Sequence, residues 1–141
     1  MVQIIAGEKG KGKTKILLDK VNSDLLNSKG SLVYLDKNTK HMYELNKKVR
    51  LINVKDFLIA NSNEFVGFLA GIISQDHDLE KVYLDSFMNL AGIEDKTDEL
   101  APIISKIDLL SAKFGVYFVI SASIESTKLP EKLKDKVIAA L

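Results

Sequence analysis

Two hydrophobic periods alternate along the chain. Val2 to Ala6 reads VQIIA, a short apolar run suited to a buried strand. From Lys13 to Asn27 the apolar residues Ile16, Leu17, Val21, Leu25 and Leu26 recur at helical spacing and lie on one face. SKG at 28–30 stops that helix, with Gly30 suited to its C-cap. SLVYLD (31–36) predicts a second strand, 38–47 a weaker polar helix, and RLINV (50–54) a third strand. Asn63 fits the N-cap of a helix running to about Gln75, with Phe65, Val66, Leu69, Ile72 and Ile73 inward. KVYLD (81–85) predicts a fourth strand. Thr97 or Asp98 opens a helix that buries Leu100, Ile103, Ile104, Ile107 and Leu110 and ends at Gly115. VYFVIS (116–121) predicts a fifth strand. Pro130 suits the first position of a last helix, with Leu133, Val137 and Ile138 as its apolar face.

The order is βαβαβαβαβα. Strands that are apolar throughout bury both faces, which implies a parallel sheet covered by helices on each side. The 141 residues form one domain, 1–141, with 46% hydrophobic and 28% charged residues. The formal net charge of +1 gives no bulk case for nucleic acid or a membrane surface. With no cysteine, disulfides and thiolate zinc sites are excluded. Met1 leads into a strand-like run without a signal-peptide layout, and no apolar run is long enough to span a bilayer. The expected location is the cytoplasm.

Candidate chemistry concentrates in GEKGKGKT, residues 7 to 14. Gly7, Gly12, Lys13 and Thr14 satisfy G-x-x-x-x-G-K-[ST] between a strand and a helix. Gly7 and Gly12, helped by Gly10, can take backbone angles closed to other residues, so that N–H groups point at a phosphate. The helix starting at Lys13 directs its positive end at the same anion. Lys13 would bridge β- and γ-phosphates, and Thr14 would offer its hydroxyl to Mg²⁺. Gly7, Glu8, Lys9, Gly10, Lys11, Gly12, Lys13, Thr14 and Lys15 are therefore the candidate nucleotide-binding residues. Lys9, Lys11 and Lys15 also read as solvated loop lysines.

On these residues the chain resembles the P-loop NTPases, and VYLD (82–85) resembles the Walker B motif. The resemblance implies Asp85 as the Mg²⁺-holding carboxylate beside Thr14, with ATP and Mg²⁺ as ligands. Ser86 stands where many such ATPases carry a water-orienting glutamate. The RecA-like branch places its catalytic carboxylate at the end of a neighbouring strand, which here is Asp36. That branch implies a three-layer α/β/α fold with a five-stranded parallel sheet in the order 3-2-4-5-1. Lys13 and Asp36 are the catalytic candidates; Asp36 is either a general base or Mg²⁺ organiser, or a plain turn aspartate. Ser121 would stand near a γ-phosphate or form a turn.

The functional expectation is an Mg²⁺–ATP-binding protein with slow or partner-activated hydrolysis. Two alternatives stand: a non-enzymatic nucleotide switch, and a small-molecule kinase. A homo-oligomer or a protein partner would receive any conformational signal. SKID (105–108) and SAS (121–123) lie too close together for a guanine-recognition pair, and Met88 stands where a GTPase D-x-x-G motif needs glycine. The single arginine, Arg50, makes a poor kinase lid. His41 and His77 lack metal-ligand spacing and read as surface residues. Tyr34, Tyr43, Tyr83 and Tyr117 read as core, or one of them stacks on adenine, which the sequence does not select. The chain is also similar to short stand-alone bacterial P-loop proteins of unassigned role.

Overall fold

In the computed structural model, which describes residues 1–141, the five expected apolar runs become strands of one parallel sheet. They are β1 (Val2–Ala6), β2 (Ser31–Asp36), β3 (Arg50–Asn53), β4 (Leu79–Leu84) and β5 (Tyr117–Ala122). The sheet has six strands rather than five. A further strand, β6 (Val137–Ala140), extends the expected order to β3-β2-β4-β5-β1-β6 and runs parallel to β1.

Strand alternation sorts side chains into two layers. Val82 and Leu84 of β4 point into the larger core, and Tyr83 points into the smaller one. The larger core packs the sheet against α2 (Ser62–Gln75), α3 (Phe87–Leu90) and α4 (Leu100–Phe114). There the rings of Phe65 and Phe87 meet edge-on, with centroids 6.0 Å apart. Such a pair adds about 0.5–1.5 kcal/mol beyond area burial. The smaller core lies under α1 (Lys13–Asp24), through Leu17, Leu18 and Val21, and is completed by Leu45 and Val49 of the β2–β3 connection. The architecture is a three-layer α/β fold with an all-parallel sheet.

Four local expectations fail for identifiable reasons. Residues 38–47 form no α-helix, only a 3₁₀ turn at Met42–Glu44. The Asn38 and Asn46 side chains accept bonds from the backbone N–H groups of Lys40 and Lys48, a local alternative to helix. The last apolar segment is a strand, because the outer edge of β1 offers backbone partners; Leu141 N–H, for instance, donates to the Ala6 carbonyl at 2.8 Å. Pro130 precedes a 3₁₀ helix, Glu131–Lys136, instead of an α-helix. The N-cap of α2 is Asn61, not Asn63. Its side chain accepts from Glu64 N–H at 2.9 Å while Glu64 accepts from Ala60 N–H at 2.7 Å, a reciprocal cap.

Smaller departures follow. α1 gives way to a 3₁₀ turn at Leu25, leaving Leu26 exposed. Gly30 is not its C-cap; it lies against the Asp78 carbonyl, where no Cβ fits. Tyr34 and Tyr83 are core, whereas Tyr43 and Tyr117 are exposed. His77 is exposed and His41 partly so. No helix is long and apolar enough to cross a membrane.

Candidate functional site

The loop of residues 7–12 leaves the carboxyl end of β1 and delivers the chain into α1. Gly12 is the N-cap of α1, in the left-handed region with φ 92°, and supplies no side-chain cap. The amides of the first helical turn therefore keep no capping side chain, which suits an anion. Gly7 differs from the expectation that it supplies a special backbone angle. It is absent from the positive-φ glycines, and its requirement is space: a Cβ there would stand 3.0 Å from Leu141 Cβ and 3.2 Å from the Leu141 carbonyl oxygen.

Lys13 folds back over the loop. Its ammonium donates to the Glu8 carbonyl at 2.8 Å, and the residue is buried. Burial holds its pKa below the ordinary lysine value, and the charge of Asp85 opposes that shift.

Asp85 follows the last residue of β4 and is buried. Three hydroxyls hold it. Thr14 donates to Oδ1 at 3.2 Å, Ser121 to Oδ1 at 2.9 Å, and Tyr34 to Oδ2 at 2.8 Å. Sheet order explains this convergence, since Tyr34 comes from β2 and Ser121 from β5, the two neighbours of β4. Ser121 also accepts the Ser86 N–H at 2.9 Å. Ser86 has φ 54°, an uncommon conformation for a residue with a side chain. The strand-to-helix turn after Asp85 is thus pinned to the end of β5.

Asp36 ends β2 and is 3% exposed. Its Oδ1 accepts from Lys37 N–H at 2.7 Å, while Oδ2 has no partner. Burial, and then the charge of Asp85, push its carboxyl up to about 6. Asp36 does not line the cleft that the phosphate loop borders; its neighbour Lys37 does.

That cleft encloses about 600 Å³. Of the expected binding residues, Glu8, Lys9, Gly10, Gly12, Lys13 and Thr14 line it, together with Asp85 and Ser121. Gly7 lies buried beneath it. Lys11 is exposed outside it, and Lys15 turns to Asp19 at 3.3 Å. The far wall comes from the segment after Asp85: Ser86, Met88, Asn89, Glu94 and Asp95. Lys9 crosses to Glu94 at 3.7 Å, and Asn89 donates to Glu94 at 2.9 Å. Sequence reasoning singled out Ser86 and Met88 for other reasons and missed Asn89, Glu94, Asp95, Lys37 and the bond of Tyr34 to Asp85. Only Tyr34 carried a signal: a tyrosine inside an otherwise apolar strand must find a partner for its hydroxyl.

The donor set can be tested for a metal. Thr14 and Asp85 present hard oxygen donors side by side, and no three or more His, Asp or Glu side chains gather into a cage. This fits Mg²⁺, which keeps several waters and takes other oxygens from phosphates. The site can therefore accept an anion at the head of α1 and a hydrated divalent cation beside it.

No protein-family description matches the chain, and no curated protein matches it. Among solved structures, domain III of the Thermotoga maritima replication initiation protein DnaA aligns with a TM-score of 0.48 at 16% identity. That alignment covers 99% of this chain and 54% of the other, so this chain spans about half of that chain's length.

Proposed function

We propose that this chain binds Mg²⁺–ATP in the cleft between the 7–14 loop and the segment after Asp85, with slow hydrolysis at most when alone. The observation that carries the reading is the contact between Thr14 and Asp85. It joins the loop to the end of β4, where a phosphate-bound Mg²⁺ needs both. Lys13 would hold the phosphates, Thr14 and Asp85 would hold the metal, and Mg²⁺ when bound supplies charge neutralisation at the phosphates. The RecA-like assignment is supported by sheet order, which sets the strand of Asp36 beside that of Asp85. Asp36 is the candidate base for hydrolysis. Asp36 does not line the cleft, which makes slow turnover the expectation.

Calorimetry tests the reading. Lys13→Ala should weaken Mg²⁺–ATP binding strongly; binding as tight as the parent's would refute it. A nucleotide-dependent switch is the second reading, favoured by the Asp85–Ser121–Ser86 chain that ties the metal candidate to a strained turn. A nucleotide-dependent change in mass by light scattering, without phosphate release, would select it. In that case a second copy or a protein partner receives the signal.

A further inference from the structure

Resting on the nucleotide reading, we infer that the cleft recognises a metal-charged polyphosphate chain and does not read the base attached to it. The ligand class is then any nucleoside triphosphate, and inorganic tripolyphosphate as well.

The lining carries this. Fifteen residues form the cleft, and one of them, Met88, is hydrophobic. Met88 is itself 4% exposed, so it offers little surface to a ring. Binding sites for drug-sized ligands are lined mainly by apolar and aromatic side chains, with a few polar groups for orientation. Here the lining residues are, Met88 apart, polar, charged or glycine.

None of the aromatic residues lines the cleft. Tyr34, Tyr83, Phe65, Phe87 and Phe118 are wholly buried. Phe57 follows β3 and stacks toward Phe68 at 5.3 Å. Tyr43 is exposed, but the next residue, Glu44, is anchored by Asn22 at 2.9 Å. Asn22 lies about 13 Å down α1 from Lys13. Phe114 ends α4 and Tyr117 opens β5, at the opposite end of that strand from Ser121.

Charge decides the rest. Four carboxylates (Glu8, Asp85, Glu94 and Asp95) line the cleft with three ammonium groups (Lys9, Lys13 and Lys37). Lys9 is paired with Glu94, and Lys13 is bonded to the Glu8 carbonyl. A bare polyanion meets repulsion from the acidic wall. A polyphosphate carrying a divalent cation presents positive charge to those carboxylates and negative charge to the lysines.

Titration calorimetry on the full chain, with Mg²⁺ complexes of ATP, GTP, CTP and tripolyphosphate, tests this. A base-stacking platform is worth roughly five- to 150-fold in affinity. The expected result is four dissociation constants within about fivefold of one another, all lost when excess EDTA removes the metal. One nucleotide binding more than about fivefold tighter than the others, or tripolyphosphate more than about fivefold weaker than ATP, overturns base-blindness and leaves the nucleotide reading standing. Undiminished binding in EDTA overturns the requirement for metal. Failure of all four ligands to bind overturns the nucleotide reading and this extension together.

Discussion

Asp36→Asn keeps the shape of a buried side chain and removes its charge. Asparagine retains an oxygen for the Lys37 N–H, so the one hydrogen bond of this side chain survives. What changes is the cost of ionising a group that is 3% exposed and close enough to Asp85 to feel its charge. Burial is the larger cause and Asp85 the second; the Lys37 amide, His41 and the Lys37 charge act the other way. The folded carboxyl titrates at about 6 against an ordinary 3.8, so the folded state holds the proton more tightly than the unfolded state. Its contribution to stability is thus fully present below about pH 3.8 and is lost as pH rises through about 6. At 1.36 kcal/mol per pH unit, the ionised group costs the fold about 3 kcal/mol at pH 8. Urea denaturation of parent and variant between pH 4 and pH 8 measures this directly, since groups common to both cancel in the difference. Between pH 4 and pH 8 the variant should gain about 2–3 kcal/mol on the parent; its amide N–H groups, set where Oδ2 has no partner, add a cost that does not vary with pH. A gap independent of pH would refute the assignment of Asp36 as a buried, strained charge. The same variant tests catalysis: if the parent releases phosphate, Asp36→Asn should suppress release and spare binding.

Three further outcomes follow from single contacts. Tyr34→Phe strips Asp85 Oδ2 of its hydroxyl donor and should cost about 1.5–3 kcal/mol in urea denaturation while weakening Mg²⁺-dependent nucleotide binding; an unchanged denaturation midpoint would dissociate Tyr34 from the carboxylate. Gly7→Ala pushes a Cβ into Leu141 and should destabilise by about 1–3 kcal/mol, with hydrogen exchange rising first across residues 137–141; protection retained there would show that the strand yields without cost. Asn61→Ala removes the cap of α2 and should lower stability by about 1 kcal/mol, whereas Asn63→Ala, whose side chain meets only Lys106, should do much less. Equal losses from the two substitutions would overturn the placement of the cap.

The amino-acid sequence determined what depends on neighbours in the chain. Apolar runs located the five strands, helical spacing picked out the buried faces of α2 and α4, and Gly115, with φ 68°, terminates α4 as its position predicted. The 7–14 pattern located the loop, because its spacing specifies a turn between a strand and a helix. Only the tertiary structure decided what depends on partners far away. Val137–Ala140 is a strand because the edge of β1 is open, a fact stored at the other end of the chain. Residues 38–47 are held against α1 by Asn22, not by a helical period of their own. Gly7 is required by Leu141, and Asp85 is held by a tyrosine 51 residues earlier and a serine 36 residues later. The cleft's polar wall likewise comes from a segment whose sequence shows no motif. Local periodicity records which face of an element turns inward; it does not record which other element will be waiting there, and the site is made of those meetings.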